Sequence, residues 1–264
     1  MIDAPLWLVG CGAMGGAMLT RWVAAGIDPG LVTVITRGPA IVPDGVRHLH
    51  SASTGERPDV LVLAVKPQQL DAVAPALAGL EPRLLVSILA GVEEASLARR
   101  VPAGAVVRAM PNLPVAIGRG VTALYTSSDD PAVRATAEAL ARPLGEAEWI
   151  ADEGLFDAVT ALAGCGPGFV FRFCEALAAA GEGLGLPADQ ALRLALWTIA
   201  GAAEMAVLTD EHPGTLAGRV ASPGGSTREG LNVLDRDDAL KRLMSDTLAA
   251  SAARNAELAK VTRG

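Results

Sequence analysis

The stretch LWLVGCGAMGGAM, residues 6–18, holds an apolar run, then Gly10, Gly12 and Gly15 in G-x-G-x-x-G spacing, then the start of an alanine-rich segment. An apolar strand that feeds a glycine turn and then a helix is the context a dinucleotide fingerprint requires. Gly10 permits the tight turn, Gly12 lets a pyrophosphate approach the backbone, and Gly15 lets helix and strand pack closely, with the phosphates at the helix N-terminus. Gly10, Cys11, Gly12, Ala13, Met14 and Gly15 are therefore candidate cofactor residues, Cys11 as a small filler near the pyrophosphate. A purely structural turn is the alternative reading.

Outward from this turn, short β-branched runs alternate with helical ones as far as Ile150. LVTVIT, VLVLAV, LLVSIL, AVVRAM, VTALY and EAEWI read as strands, and residues 13–25, 67–78, 93–100 and 131–141 read as helices. Strands that are apolar on both faces and separated by helices predict a doubly wound parallel sheet. After Ile150 the strand signal stops. Alanine- and leucine-rich segments over 152–163, 167–183, 187–208 and 237–260 predict helices. The expected fold is α/β, with a dinucleotide-binding domain over residues 1–150 and an all-helical domain over 151–264. The helical half is apolar on more than one stripe, which points to a face buried against another subunit.

The second strand ends Ile35-Thr36-Arg37-Gly38, where a binder of the NAD ribose would place an Asp or Glu. A guanidinium pairs with a 2′-phosphate and a hydroxyl can add a hydrogen bond, so Thr36 and Arg37 point to NADPH, with NADH weaker; an exposed turn arginine is the alternative. Ala64, Val65, Lys66 and Pro67 follow the third of these strands at the ligand-binding edge. Pro111 directs Asn112 toward the crevice, where its amide would bond a carboxamide or order a loop. In the helical half, Ser222-Pro223-Gly224-Gly225-Ser226-Thr227 places glycines and hydroxyls at a helix start, either an anion site for a carboxylate or phosphate or an ordinary capped helix.

A net charge of −7 and a pI near 5.0 disfavour a nucleic-acid footprint and leave small-molecule chemistry. The three cysteines are odd in number and form no Cys-x-x-Cys, so neither a disulfide framework nor a zinc site is expected. His48 and His50 alternate on one strand face and read as surface residues rather than metal ligands. Residues 6–25 and 191–208 are the best membrane-span candidates, but glycines and Arg21 interrupt the first and Arg193 and Glu204 the second. The start Met-Ile-Asp lacks the basic character of a signal peptide, so a cytoplasmic protein is expected.

GCGAMGGAM, AVKPQ, MPN, GPGF, DEHPG and above all SPGGST together resemble the pyrroline-5-carboxylate reductases over nearly the whole length. The resemblance implies a Rossmann domain, a helical dimerisation domain and often a ring of dimers. It also implies hydride transfer from the nicotinamide to a cyclic imine, giving L-proline. On that resemblance Gly224, Gly225, Ser226 and Thr227, with Ser222 nearby, hold the substrate carboxylate. Thr227 stands near the ring nitrogen, and Asp210 occupies a position where the family often has Glu. Where the family usually reads Ser-Gly-Ser-Gly-Pro-Ala-Tyr, this chain has Ala163-Gly164-Cys165-Gly166-Pro167-Gly168-Phe169, which leaves slower turnover or a different imine open. Cys165 in this segment reads as part of a close-packing turn that lines the site.

Two other readings compete. A β-hydroxyacid dehydrogenase would need a lysine early in the helical domain, and none lies between Lys66 and Lys241. A protein that senses NADP(H) without turnover is the non-enzymatic alternative.

Overall fold

The structure, a computed structural model, describes residues 2–52 and 55–263. One eight-stranded sheet has the order β3-β2-β1-β4-β5-β6-β7-β8. Its strands are β1 (Leu6–Val9), β2 (Val32–Ile35), β3 (Arg47–Leu49), β4 (Val60–Leu63), β5 (Leu84–Ser87), β6 (Ala105–Pro111), β7 (Gly120–Tyr125) and β8 (Gly145–Trp149). The helices around it are α1 (Ala13–Ala24), α2 (Leu70–Leu77), α3 (Glu94–Arg100) and α4 (Pro131–Ala141). All pairings are parallel except β6 with β7. The doubly wound parallel sheet expected from the strand pattern is present, with this one antiparallel pairing. The connection over residues 112–119 is too short for the crossover that a parallel neighbour needs, so β7 turns back on β6.

Alternation along β1 divides the interior into two cores. Leu6 and Leu8 join the layer that contains Trp22 of α1, while Trp7 and Val9 join Leu61, Leu63, Leu77 and Leu97 on the opposite face. Trp22 is fully buried, and its indole N–H donates to the Leu140 carbonyl at 2.7 Å, so the polar end of this large side chain is satisfied.

The helical half comprises α5 (Phe156–Val159), α6 (Gly166–Gly183), α7 (Ala188–Thr209), α8 (Pro213–Arg219), α9 (Ser226–Asp235) and α10 (Ala239–Arg263). Residues Thr160–Gly164 form a π-helical turn between α5 and α6. The chain divides into two compact units, Met1–Cys165 with Ser251–Gly264, and Gly166–Ala250. The strands stop at residue 149, close to the sequence boundary, but the first unit extends further because residues after Ile150 pack on the sheet. Arg108, buried in β6, pairs with Glu153 at 2.8 Å and lies over the Phe156 ring at 4.1 Å.

Within the second unit α6 and α7 pack together yet leave Phe171, Leu192, Leu194, Trp197 and Leu208 exposed, Trp197 at 78%. By length and composition, Glu153–Gly183 and Ala188–Thr209 are helices that could cross a membrane. The second matches the sequence candidate. The first replaces residues 6–25, which fold instead as β1, a turn and α1.

Candidate functional site

At the carboxyl ends of β1, β2 and β4, where the strand order reverses, lies a cavity of about 530 Å³. Gly10, Cys11, Gly12, Thr36, Arg37, Ala64, Val65 and Lys66 all line it, so most of the residues chosen from sequence converge on one crevice. Ala13, Met14 and Gly15 form the first turn of α1 behind it, and Pro67 opens the 3-10 turn after Lys66.

The three glycines have different causes. Gly10 has φ +94°, and a Cβ there would stand 2.5 Å from the Ala64 carbonyl oxygen; at Gly15 a Cβ would stand 2.7 Å from the Gly10 carbonyl oxygen. Protein packing alone demands both. Gly12 has φ −76° and nothing within 4 Å of the Cβ position, so neither conformation nor packing explains its lack of a side chain. It lies on the cavity wall as the N-cap of α1, with no side chain capping the first-turn N–H groups. Open space beside uncapped helix amides fits a pyrophosphate laid on the backbone. Burial pushes the Cys11 thiol pKa up, which keeps it neutral beside that position.

Past the end of β2, Arg37 is exposed, and no described residue pairs with it. Thr36 differs from expectation. Its hydroxyl stands 2.6 Å from the Gly38 carbonyl, which can only accept, so its one proton is already committed. The Thr36 oxygen in turn lies 2.7 Å from His48 Nε2, and the Thr36 carbonyl 3.2 Å from His50 Nδ1. The two imidazoles meet edge to face with centroids 5.1 Å apart. Both are therefore hydrogen-bonded to Thr36, and the exposed His50 lines the cavity. His50, Ser51 and Gln69 line the cavity and were missed in the sequence reading; the alternating RHLH beside the second strand was the available signal.

Asn112 is buried and does not line the cavity. Its Oδ1 accepts from the Val121 N–H at 2.9 Å and its Nδ2 donates to the Ala163 carbonyl at 3.1 Å. Of the two roles open to it, ordering the loop is the one seen. Cys165 also differs from the turn expected: its N–H closes the π turn onto the Thr160 carbonyl at 2.8 Å, and the segment continues as helix. Among the described residues no group of three His, Cys, Asp or Glu is placed to hold a metal ion.

The remaining candidates belong to the second unit. Ser222 to Gly225 is a turn closed by the Gly225 N–H on the Ser222 carbonyl at 3.0 Å, with Pro223 second and Gly224 third at φ +70°, the type II pattern. A Cβ on Gly225 would stand 2.6 Å from Ser222 Oγ. The turn thus consumes the Gly225 N–H expected to face an anion. Beyond it α9 begins without a side-chain cap, so the N–H groups of Ser226, Thr227 and Arg228 stand at the helix start beside two exposed hydroxyls. Asp210 caps the C-terminus of α7 in the left-handed region at φ +52°. Its neighbour Glu211 pairs with Arg219 and His212 Nδ1 accepts from the Gly214 N–H at 3.1 Å, while no described residue pairs with Asp210.

Two family models match the chain. Pyrroline-5-carboxylate reductase dimerisation covers residues 153–258, and NADP oxidoreductase coenzyme F420-dependent covers residues 6–91. A pyrroline-5-carboxylate reductase of Synechocystis is 43% identical over 180 residues, 67% of each chain. The solved structure of a Coxiella burnetii pyrroline-5-carboxylate reductase superposes with a TM-score of 0.89 at 31% identity, covering 97% of this chain and 99% of that one. A Plasmodium falciparum pyrroline carboxylate reductase with NADP bound gives 0.81 at 27% identity, covering 98% and 99%. With its eight-stranded dinucleotide sheet and its helical half, this chain belongs to the pyrroline-5-carboxylate reductase family.

Proposed function

We propose that the protein reduces 1-pyrroline-5-carboxylate to L-proline, with NADPH preferred over NADH. The observation that carries this is a chain with two helix starts, at Gly12 and at Ser226, that no side chain caps, in a family whose named members are pyrroline-5-carboxylate reductases. The first suits a dinucleotide pyrophosphate. The second suits the carboxylate of a small acid.

When bound, NADPH supplies a hydride from the nicotinamide C4 to C5 of the cyclic imine. The protein's share is placement. The first-turn amides of α9 and the hydroxyls of Ser226 and Thr227 hold the carboxylate, with Gly224 and Gly225 shaping the turn and Ser222 closing it. Thr227 orients the ring nitrogen, and the Asp210 carboxylate, which pairs with no described residue, favours the cationic iminium over the neutral imine. Because the iminium already carries the proton that the product amine keeps, no strong general acid is required.

Residues 151–264 act as the dimerisation and substrate domain. The exposed apolar side chains of α6 and α7 form the homodimer contact, and dimers assemble further into a ring. The absence of an acid beside Arg37 supports the NADPH preference, and the protein works in the cytoplasm. A second reading, reduction of another cyclic imine, is supported by Ala163, Cys165 and Phe169, which replace two hydroxyls and a phenol expected from the family pattern. Conversion of pyrroline-5-carboxylate to proline by the purified protein tests the first reading against the second.

A further inference from the structure

We propose that His50 is a specificity-determining residue for the cofactor's 2′-phosphate, oriented by Thr36 and acting beside Arg37. This rests on the NADPH preference proposed above and adds a residue to it. Register places His50 there: β2 and β3 run parallel with Ile35 opposite Leu49, and the Thr36 N–H donates to the Leu49 carbonyl at 3.0 Å. The residues just past these two strand ends, Thr36 and His50, therefore emerge side by side on the cavity wall.

The hydrogen bonds decide what each can offer. The Gly38 carbonyl takes the Thr36 proton, so His48 Nε2 must donate to the Thr36 oxygen, and Thr36 has no proton left for a phosphate. The Thr36 carbonyl likewise accepts only, so His50 Nδ1 carries a proton. His50 Nε2 is left with no described partner. As the imidazolium it becomes a charged donor, which a phosphate monoester of charge near −2 rewards and a ribose hydroxyl does not.

The cavity wall around His50 suits an anion. Arg37 on the loop after β2 and Lys66 after β4 share the cavity lining with His50, His48 flanks it on β3, and among the described residues no carboxylate lines the cavity. Glu56, the acid that pairs with β3, is engaged by Arg47. A site built for the two ribose hydroxyls of NAD would place an acid where this one places Arg37, Lys66 and His50.

The test is calorimetric binding of adenosine 2′,5′-bisphosphate and of 5′-AMP, which differ only in the 2′-phosphate. His50→Ala should weaken the bisphosphate by about tenfold while leaving 5′-AMP within about twofold, and His50→Arg should recover most of the loss. Retained 5′-AMP binding shows that the variant is folded. If His50→Ala keeps the wild-type discrimination and Arg37→Ala alone abolishes it, His50 has no part in the site and the proposal is overturned. If the wild-type protein does not discriminate at all, the NADPH preference itself falls and takes this proposal with it.

Discussion

Asn112 donates from Nδ2 to the Ala163 carbonyl at 3.1 Å, and this is the carbonyl that Pro167, lacking an N–H, cannot reach from the next helical turn. The π turn at Thr160–Gly164 and the proline after it disturb the helical ladder, and a side chain from the end of β6 supplies a replacement donor. Asn112→Ala leaves both that carbonyl and the half-buried Val121 N–H without their partner. The expected cost is about 2–3 kcal/mol, read as a fall of several degrees in the apparent Tm. An unchanged melting curve would show that water replaces the amide at no cost.

Gly10 and Gly12 separate folding from binding. Gly10→Ala forces a side chain into the left-handed region and against the Ala64 carbonyl, so the domain should lose stability whether or not cofactor is present. Gly12→Ala meets no protein atom and should leave the unliganded Tm unchanged to within about a degree, yet weaken dinucleotide binding about tenfold or more. Equal binding by the Gly12 variant and the wild type would remove the pyrophosphate from that turn.

Arg37→Asp replaces a cation with the acid that NAD ribose sites carry. The KM for NADPH should rise by about tenfold or more and that for NADH should rise far less or fall. Parallel changes with both cofactors would take Arg37 out of the phosphate site.

Thr227→Ala removes a hydroxyl from the first turn of α9 but spares the backbone amides. A drop in kcat/KM for the imine of about tenfold or more is expected, with the NADPH dissociation constant unmoved. An unchanged kcat/KM would leave that hydroxyl without a role at the ring nitrogen.

The part of this architecture legible from sequence is the part with local causes. The glycine turn could be read because strand, turn and helix are contiguous, and four-residue apolar strands announce themselves. β3 showed only as the alternation of His48 and His50 and not among the apolar strands, because Arg47–Leu49 is three residues long with only one apolar side chain. The direction of β7 is set by connection length, not by its own residues, which are apolar either way. Asn112 and the Thr36, His48 and His50 cluster depend on partners distant in sequence: Ala163 lies 51 positions from Asn112, and His50 lies 14 from Thr36. Residue type alone suggested a hydroxyl donor at Thr36. Only geometry shows where its proton has gone.

Trp197→Glu tests the assembly. A charge at this exposed position of α7 costs little in a monomer but much in an apolar dimer contact, so sedimentation should shift toward the monomer. A variant that sediments as the wild type would place the subunit contact elsewhere.

The central claim is the reaction, and the direct measurement is loss of NADPH absorbance on adding pyrroline-5-carboxylate to purified protein, with proline quantified in the same sample. The account predicts one proline formed per NADPH oxidised, and faster turnover with NADPH than with NADH. Cofactor that binds but is not consumed, with no proline formed, would contradict it and leave either a different imine or a protein that senses NADP(H).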